Sequence, residues 1–263
     1  MTFTDQIQRT ITLPQWPPQR IISLVPSQTE LLADLELDRE VLGITKFCIH
    51  PNEWFRGKTR VGGTKTLNLE KIASFKPDLI IGNKEENDQD QIEWLGERFP
   101  VWMSDVYTLE DALWMIRELG SLCDRKVQAD KIVIEISQRF QRLARSTDSE
   151  RINAAYLIWR KPFMAAGADT FIHDMLYRAG FRNVFGEQKR YPELKPTELA
   201  EVKPDVILLS SEPYPFAVKH IAELQTICPS SRVLLVDGEL FSWYGSRLIK
   251  SPGYFSELYS QLK

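Results

Sequence analysis

Apolar residues along this chain fall into short uninterrupted runs separated by longer stretches of helical spacing. A run of aliphatic and β-branched residues with no polar face is typical of a strand buried on both sides of a parallel sheet. The runs are Arg20–Val25, Val41–Ile44, Leu79–Ile81, Val101–Met103, Ala154–Trp159, Val206–Leu209 and Val233–Val236. Because helical patterns alternate with these runs, the sequence predicts an α/β fold.

Two of the predicted helix–strand units have nearly the same sequence. Residues Lys71–Ile81 and Glu198–Leu208 are identical at five of eleven positions, with a constant offset of 127. Each consists of an apolar helical turn, a Lys-Pro-Asp break and a buried strand. A period this long is too large for a solenoid and favours a duplicated lobe. We therefore predict two Rossmann-like lobes with parallel sheets.

Helical spacing also fills the middle of the chain, where the pattern predicts helices over residues 108–120 and 124–145. The second would be ~33 Å long at 1.5 Å per residue. No Gly/Ser/Pro-rich linker separates the two halves, so a long backbone helix is expected to join the lobes. The predicted domains are an N-terminal α/β lobe (1–108), connecting backbone helices (109–148) and a C-terminal α/β lobe (149–263).

The segments that follow the first two strands differ in character. Ser27, with Glu30 three residues later, predicts a capping box that opens a helix over Thr29–Leu35. Residues 45–67, in contrast, predict a long irregular stretch that contains Phe47, Cys48 and His50. Long loops in compact domains usually serve a function.

Composition excludes several classes of protein. With 33 basic and 36 acidic residues and a net charge of −3, the chain has no basic stripe, so we expect no nucleic-acid partner. The sequence contains no uninterrupted run of eighteen apolar residues, so we expect no membrane insertion. The first ten residues lack the pattern of an export signal, which predicts a cytoplasmic protein. Three widely spaced cysteines also fit a reducing compartment.

Aromatic residues concentrate where the predicted strands end, and ligands of open parallel sheets bind beyond the carboxyl ends of the strands. A cleft lined by aromatic rings with a few charges suits a flat, largely apolar ligand. For any single ring, packing in the core explains its position as well as contact with a ligand does. The predicted ligand-binding residues are Pro26, Ser27, Phe47, His50, Trp54, Lys84, Glu86, Trp159, Arg160, Phe163, Tyr214, Phe241, Trp243, Tyr244 and Arg247.

The chain resembles the substrate-binding proteins of ABC importers for cobalamin, ferric siderophores and haem, the class in which a helical backbone joins two lobes (class III). The resemblance extends from about Arg20 to Leu262. It rests on the Arg20–Glu30 segment, on Arg60-Val-Gly-Gly63 followed by Asn68–Ile81, and on the second Lys-Pro-Asp strand. Phe47-Cys-Ile-His-Pro51, which precedes Arg60-Val-Gly-Gly63, makes the chain most similar to the cobalamin-binding branch.

This resemblance implies a two-lobed receptor that holds a small-molecule metal chelate between its lobes and performs no chemistry on it. The implied ligand is a corrinoid such as cobalamin, or else a siderophore or haem, and we expect a monomer. In this family a glutamate near the start of each repeat helix docks on the membrane permease. The first lobe retains it as Glu70, whereas Thr197 occupies the matching position of the second lobe and Glu198 is displaced by one residue. Two alternatives therefore remain. The protein is a permease-associated receptor in the periplasmic or lipid-anchored location that is usual in the family, or it is a cytoplasmic corrinoid sensor.

Metal binding by the protein itself is a separate hypothesis. Cys48 and His50 lie in one loop and can ligate a soft metal ion, or His50 can supply its imidazole to the cobalt of a corrinoid. The other histidines, His173 and His220, are expected at the surface of predicted helices. The alternative function is a metal- or corrinoid-dependent enzyme that uses Cys48 and His50. The sequence contains neither a Gly-x-Ser-x-Gly motif nor a glycine-rich phosphate loop.

Overall fold

The computed structural model describes residues 1–146 and 151–263. Within them the chain divides into two compact units. The first unit comprises Met1–Val106, Glu110–Ile136 and Tyr244–Arg247, and the second comprises Tyr107–Leu109, Ser137–Trp243 and Leu248–Lys263. The predicted domain boundary between residues 148 and 149 lies outside the described residues.

The strands of the first unit are β1 (Thr2–Thr4), β2 (Thr10–Thr12), β3 (Ile21–Ser23), β4 (Val41–Ile44), β5 (Thr59–Arg60), β6 (Leu79–Asn83) and β7 (Val101–Ser104). Five of them form a parallel sheet in the order β5-β4-β3-β6-β7. The antiparallel pair β1 and β2 at the start of the chain is separate from this sheet. The helices of the first unit are α1 (Pro26–Asp34), α2 (Asn52–Gly57), α3 (Leu69–Ser74), α4 (Gln89–Gly96) and α5 (Leu109–Leu122). The first residue of α5, Leu109, belongs to the second unit.

Helix α6 (Lys126–Ser146) begins in the first unit and ends in the second. The strands of the second unit are β8 (Ile152–Trp159), β9 (Phe163–Ala165), β10 (Phe181–Asn183), β11 (Glu193–Leu194), β12 (Val206–Ser210) and β13 (Arg232–Val236). Its sheet has the order β11-β9-β8-β12-β13, and β10 also pairs with β8. Its helices are α7 (Phe171–Arg178), α8 (Pro196–Glu201), α9 (Ile221–Ile227), α10 (Glu239–Ser242) and α11 (Ser251–Leu262), with short 3₁₀ turns at Val218–His220 and Ser246–Ile249.

The predicted α/β fold class is confirmed, with two differences in detail. The stretch predicted to be irregular contains α2 and β5, so the first sheet has a fifth strand. The second sheet is mixed, because β9 pairs antiparallel with β8 and β11 pairs antiparallel with β9. Both differences come from elements of two to six residues, which are too short to show a periodic pattern.

The duplicated sequence forms the same local structure in both units. In the first copy, Asp78 accepts hydrogen bonds from the backbone N–H groups of Gln19 (2.9 Å) and Arg20 (2.8 Å), just before β3. In the second copy, Asp205 accepts one from Asn153 N–H (2.9 Å), within β8. The Lys-Pro-Asp aspartate therefore satisfies backbone groups of the neighbouring strand in each unit.

The capping box predicted at Ser27 and Glu30 is wrong. Helix α1 begins earlier, at Pro26, whose fixed φ suits the first helical position. Ser27 is consequently buried inside the first turn, and the carboxylate of Glu30 pairs with Arg247. A partner 217 residues away in sequence has replaced the expected local one.

Candidate functional site

In the first unit, the loop after β6 is held by a buried network of polar side chains. Asn83 Nδ2 donates to Ser104 Oγ (2.9 Å), and Asn83 Oδ1 accepts from the backbone N–H groups of Glu85 (2.8 Å) and Glu86 (3.1 Å). Asn87 Oδ1 accepts from Asn83 N–H (2.9 Å). A loop whose backbone is satisfied from inside presents Glu85 and Glu86 in a fixed position.

Two predicted ligand-binding residues on this loop have partners within the first unit. Lys84 forms an ion pair with Asp105 (2.6 Å), with its own side chain largely in solvent. Glu86 Oε1 accepts a long hydrogen bond from the hydroxyl of Tyr244 (3.4 Å). Burial, with the nearby Glu86 charge second, holds the pKa of Tyr244 well above its usual value, so its hydroxyl stays protonated and donates.

The segment Tyr244–Arg247 packs closely on α1. A side chain at Gly245 would place its Cβ 2.4 Å from the carbonyl oxygen of Ser27, so only glycine permits this approach. The Arg247 guanidinium donates to both carboxylate oxygens of Glu30 at 2.8 Å, and both side chains are largely buried. The Arg247 guanidinium, which was predicted to contact a ligand, is thus engaged by the Glu30 carboxylate in the interior of the first unit.

Phe47 follows β4 and is half exposed, at 50%. The Lys46 ammonium lies 5.1 Å from the centre of its ring, and a Cβ at Gly63 would come within 3.3 Å of the ring edge. Gly63 of the Arg60-Val-Gly-Gly63 motif therefore leaves space for this ring. Ile49 beside it is also exposed, and His50 between Ile49 and Pro51 is half-buried. Among the residues predicted in this loop, Phe47 and His50 remain accessible to a ligand.

Cys48, predicted as a possible metal ligand, is fully buried. Its sulfur lies 3.0 Å from Thr29 Oγ1 and 3.1 Å from Thr45 Oγ1. Burial raises the pKa of the thiol to about 11, against the lowering effect of these hydrogen bonds. Since metals bind the thiolate, this environment does not suit a ligand. Within residues 1–146 and 151–263, no cluster of three or more His, Cys, Asp or Glu side chains is arranged to hold a metal ion.

Trp54 belongs to the interior and not to a ligand surface. It is 3% exposed, and its indole N–H donates to Asp38 Oδ1 (2.6 Å). The Lys58 ammonium covers its ring at 4.8 Å. Because a helical turn, α2, forms here in place of the expected irregular loop, Trp54 turns towards the core.

In the second unit, exposed aromatic surface lies at the carboxyl end of β8. Trp159, the last residue of β8, is 40% exposed, and its ring meets that of Tyr214 edge to face at 5.6 Å. Tyr214 in turn packs against Phe216 at 4.8 Å. Next to them, Arg160 Nε donates to Glu223 Oε2 (2.7 Å). Trp159, Arg160 and Tyr214, which were all predicted to contact a ligand, therefore lie close together in this unit.

Two other predicted ligand contacts of the second unit are core residues. Phe163 belongs to the apolar cluster between β8, β12 and the helices around them. Phe241 is fully buried among the rings of Tyr156 (5.0 Å), Phe255 (4.5 Å) and Tyr254 (6.3 Å). Three neighbouring rings leave Phe241 no free face, so we assign it to packing.

Trp243 is fixed by a buried carboxylate. Glu212 Oε1 accepts from the Trp243 indole N–H (3.0 Å) and from the hydroxyl of Ser242 (2.6 Å). Burial is the main cause that raises the pKa of Glu212, assisted by the neighbouring charges of Glu239 and Asp237. Glu212 therefore ties the loop after β12 to the end of α10.

Sequence reasoning missed two tyrosines of the second unit and misplaced one histidine. Arg190, whose backbone is left-handed (φ 62°), lies near the rings of Tyr107 (5.9 Å) and Tyr191 (5.7 Å). Neither tyrosine was among the predicted ligand-binding residues. His220, expected at the surface, is buried at 4% exposure and contacts Tyr214.

The predicted permease-docking residues lie at the starts of the two repeat helices. Glu70 is the second residue of α3 and is exposed. Thr197 is the second residue of α8, whereas Glu198 is the third and its carboxylate accepts from the Lys195 N–H (2.6 Å). Glu198 thus satisfies an N-terminal backbone group of its own helix.

A family model described as "Periplasmic binding protein" matches residues 21–226, which is more than half of the chain. The chain belongs to the periplasmic binding protein family. The resemblance seen in the sequence is thereby confirmed, and nothing in this family match supports the predicted cytoplasmic location. In the described part of this family member, no helix is both long and apolar enough to cross a membrane.

One relative of this protein is a vitamin B12-binding protein of Pectobacterium carotovorum subsp. carotovorum (strain PC1). The two are 26% identical over 240 residues, which covers 88% of this chain and 85% of the relative. Among solved structures, a periplasmic vitamin B12-binding protein of Vibrio cholerae has a TM-score of 0.81 at 22% identity, covering 94% and 98% of the two chains. A periplasmic haem-binding protein from Roseiflexus sp. RS-1 has the same score at 18% identity, covering 93% and 98%. At these identities the structural matches establish the fold alone.

Proposed function

We propose that the protein binds a corrinoid, or a similar flat metal chelate such as haem, and presents it to an ABC permease without altering it. The observation that carries this proposal is the exposed ring of Trp159, packed against the partly buried ring of Tyr214 at the carboxyl end of β8, in a chain whose relatives include vitamin B12-binding proteins. Exposed rings at strand ends are costly unless they meet a ligand, since they leave apolar surface in water.

The chemistry of such a chelate matches the accessible side chains of each unit. A macrocycle has broad apolar faces, which aromatic rings contact favourably, and a rim of amides or carboxylates. Phe47 in the first unit, and Trp159 and Tyr214 in the second, supply rings. Lys84, Glu86 and Arg160 supply charges or hydrogen bonds for the rim.

The alternative function, a cytoplasmic metal- or corrinoid-dependent enzyme or sensor, uses Cys48 and His50, with Cys48 as a metal ligand. The buried thiol, with its pKa raised to about 11, does not favour that role. For the permease, exposed Glu70 is the residue we propose for docking, and Glu198 is the weaker candidate because it caps α8.

Titration of the purified protein with cyanocobalamin, aquocobalamin and hemin tests the proposed function. We expect tight 1:1 binding of at least one chelate, with quenching of tryptophan fluorescence. Trp159→Ala is expected to weaken binding ~10- to 100-fold, since truncating a central aromatic contact costs ~1–3 kcal/mol. The matched control is Trp16→Ala in the first unit, because Trp16 is 39% exposed and donates only to the carbonyl of Ser121. Failure of all three chelates to bind would refute the proposal.

His50 is proposed as a ligand of the cobalt of a bound corrinoid. A neutral imidazole displaces the weakly held water of aquocobalamin, and this exchange changes the visible spectrum. We expect the spectral change with the wild-type protein and its loss in His50→Ala, while cyanocobalamin, whose position is occupied by cyanide, shows no change in either. His173→Ala is the control. An unchanged aquocobalamin response in His50→Ala would exclude this role.

A further inference from the structure

The buried imidazole of His220 packs against the partly buried ring of Tyr214, with the ring centres 5.6 Å apart. Its Nε2 is 3.3 Å from the Tyr214 hydroxyl oxygen, and its Nδ1 is 2.9 Å from the backbone nitrogen of Ala217. The ring also meets Phe216 edge to face at 5.5 Å. All of these residues belong to one short segment after β12, so the geometry is local.

The backbone contact determines which nitrogen of His220 carries the proton. The Ala217 N–H can only donate, so Nδ1 accepts and has no hydrogen. In the neutral ring the proton must then be on Nε2, which donates to the oxygen of Tyr214. The backbone thus fixes the tautomer, and the tautomer fixes the direction of the next hydrogen bond.

A second donor faces the same phenolic oxygen. The guanidinium of Arg160, whose Nε donates to Glu223 at 2.7 Å, lies near the Tyr214 hydroxyl and can act as a further donor to it. Because the Nε2–H of His220 is directed at the Tyr214 oxygen, the hydroxyl hydrogen cannot be donated to Nε2 and is available to another acceptor.

We propose that His220 is a positioning residue that fixes Tyr214 as a hydrogen-bond donor to its ligand. The group of the ligand that meets Tyr214 is consequently an acceptor, such as an amide carbonyl or a carboxylate oxygen on the rim of the macrocycle. This inference rests on the proposed function, because Tyr214 must contact the chelate. Tyr214 is then the hydrogen-bond donor in its contact with the chelate, and the buried His220 determines this direction.

Acidification should break the hydrogen bond between the Ala217 N–H and Nδ1 of His220. Protonation places a hydrogen on Nδ1, which then opposes the Ala217 N–H, and the imidazole must move. The groups that face His220 are Arg160 and Lys219, which disfavour its charge, and Glu223, which favours it. Burial first, and then the two cations, lower the pKa of His220, so the neutral form is retained at neutral pH and lost on acidification.

Nitrogen-detected NMR of the histidine rings in the free protein tests the tautomer without any ligand. His220→Phe identifies the resonances that belong to His220. We expect one nitrogen without a proton and a protonated Nε2 at neutral pH. A proton on Nδ1 at neutral pH would overturn the proposal.

A double-mutant cycle with cyanocobalamin or hemin, whichever the wild type binds, tests the action through Tyr214. Tyr214→Phe retains the ring and removes the hydroxyl, and His220→Phe retains the buried ring packing. Each is expected to weaken binding about 3- to 10-fold, and the double variant no more than Tyr214→Phe alone. Losses that multiply would show that His220 acts only on structure.

The pH profile is the third readout. Wild-type affinity is expected to fall between about pH 7 and about pH 5, and the fall should be absent in both single variants. An equal fall in all three proteins would overturn the proposal. Absence of chelate binding by the wild-type protein is a different result, since it refutes the proposed function, while the NMR experiment still decides the tautomer.

Discussion

Arg247→Ala is expected to lower the free energy of unfolding by ~3–5 kcal/mol, since it removes a bidentate cation from the largely buried Glu30 carboxylate. The two residues share two hydrogen bonds of 2.8 Å, and their side chains are only 9% and 12% exposed. Equilibrium urea unfolding, followed by circular dichroism, measures the change. The double variant Glu30→Leu/Arg247→Met removes both charges and should recover most of the loss, because apolar residues of similar size often replace a buried ion pair without cost.

An exposed ion pair provides the control. Lys126 and Asp130 on α6 are 2.7 Å apart, with side chains 70% and 38% exposed. Lys126→Ala should change stability by no more than about 0.5 kcal/mol. If Arg247→Ala unfolds at the same urea concentration as Lys126→Ala, the Glu30–Arg247 pair is not the buried contact described above.

Phe241→Ala is expected to destabilise the protein by ~3–5 kcal/mol, the usual cost of removing a fully buried aromatic ring. The ring lies among Tyr156, Tyr254 and Phe255 with no exposed face. Urea unfolding measures the loss of stability. Chelate titration below the unfolding transition should give the wild-type affinity, because a core residue does not contact the ligand.

Trp159→Ala should show the opposite pair of effects, with weak binding and nearly unchanged stability. The two variants together separate a packing ring from a ligand-contacting ring. A loss of affinity in folded Phe241→Ala, equal to that in Trp159→Ala, would restore Phe241 to the ligand site.

The buried strands were predictable because their signal is local. Strands β6 and β12 are buried along their whole length, as their uninterrupted aliphatic residues indicate. The Lys-Pro-Asp repeat was informative for a similar reason. Lys76 and Lys203 both adopt a left-handed backbone (φ 48° and 44°), so the two copies share a backbone conformation as well as a sequence.

The site was less predictable because position relative to a strand does not determine exposure. Trp54, Phe163 and Phe241 lie at or after the ends of predicted strands, just as Phe47, Trp159 and Tyr214 do. Whether each turns inward depends on contacts with distant residues, such as the indole of Trp54 with Asp38. The Glu30 prediction failed in the same way, since its partner Arg247 is 217 residues away. The His220 prediction failed for a local reason, because its ring packs against Tyr214 in the same segment.

The three cysteines are all buried, Cys48 and Cys123 in the first unit and Cys228 in the second. Burial raises the pKa of Cys48 to about 11 and that of Cys123 to about 12, and it also raises the pKa of Cys228. A thiol reagent attacks the exposed thiolate, so each cysteine reacts only when the structure around it opens. The natural sequence therefore carries internal reporters of opening rates in both units. The rate of alkylation at each cysteine, read by mass spectrometry with and without a chelate, would reveal which unit a ligand stabilises.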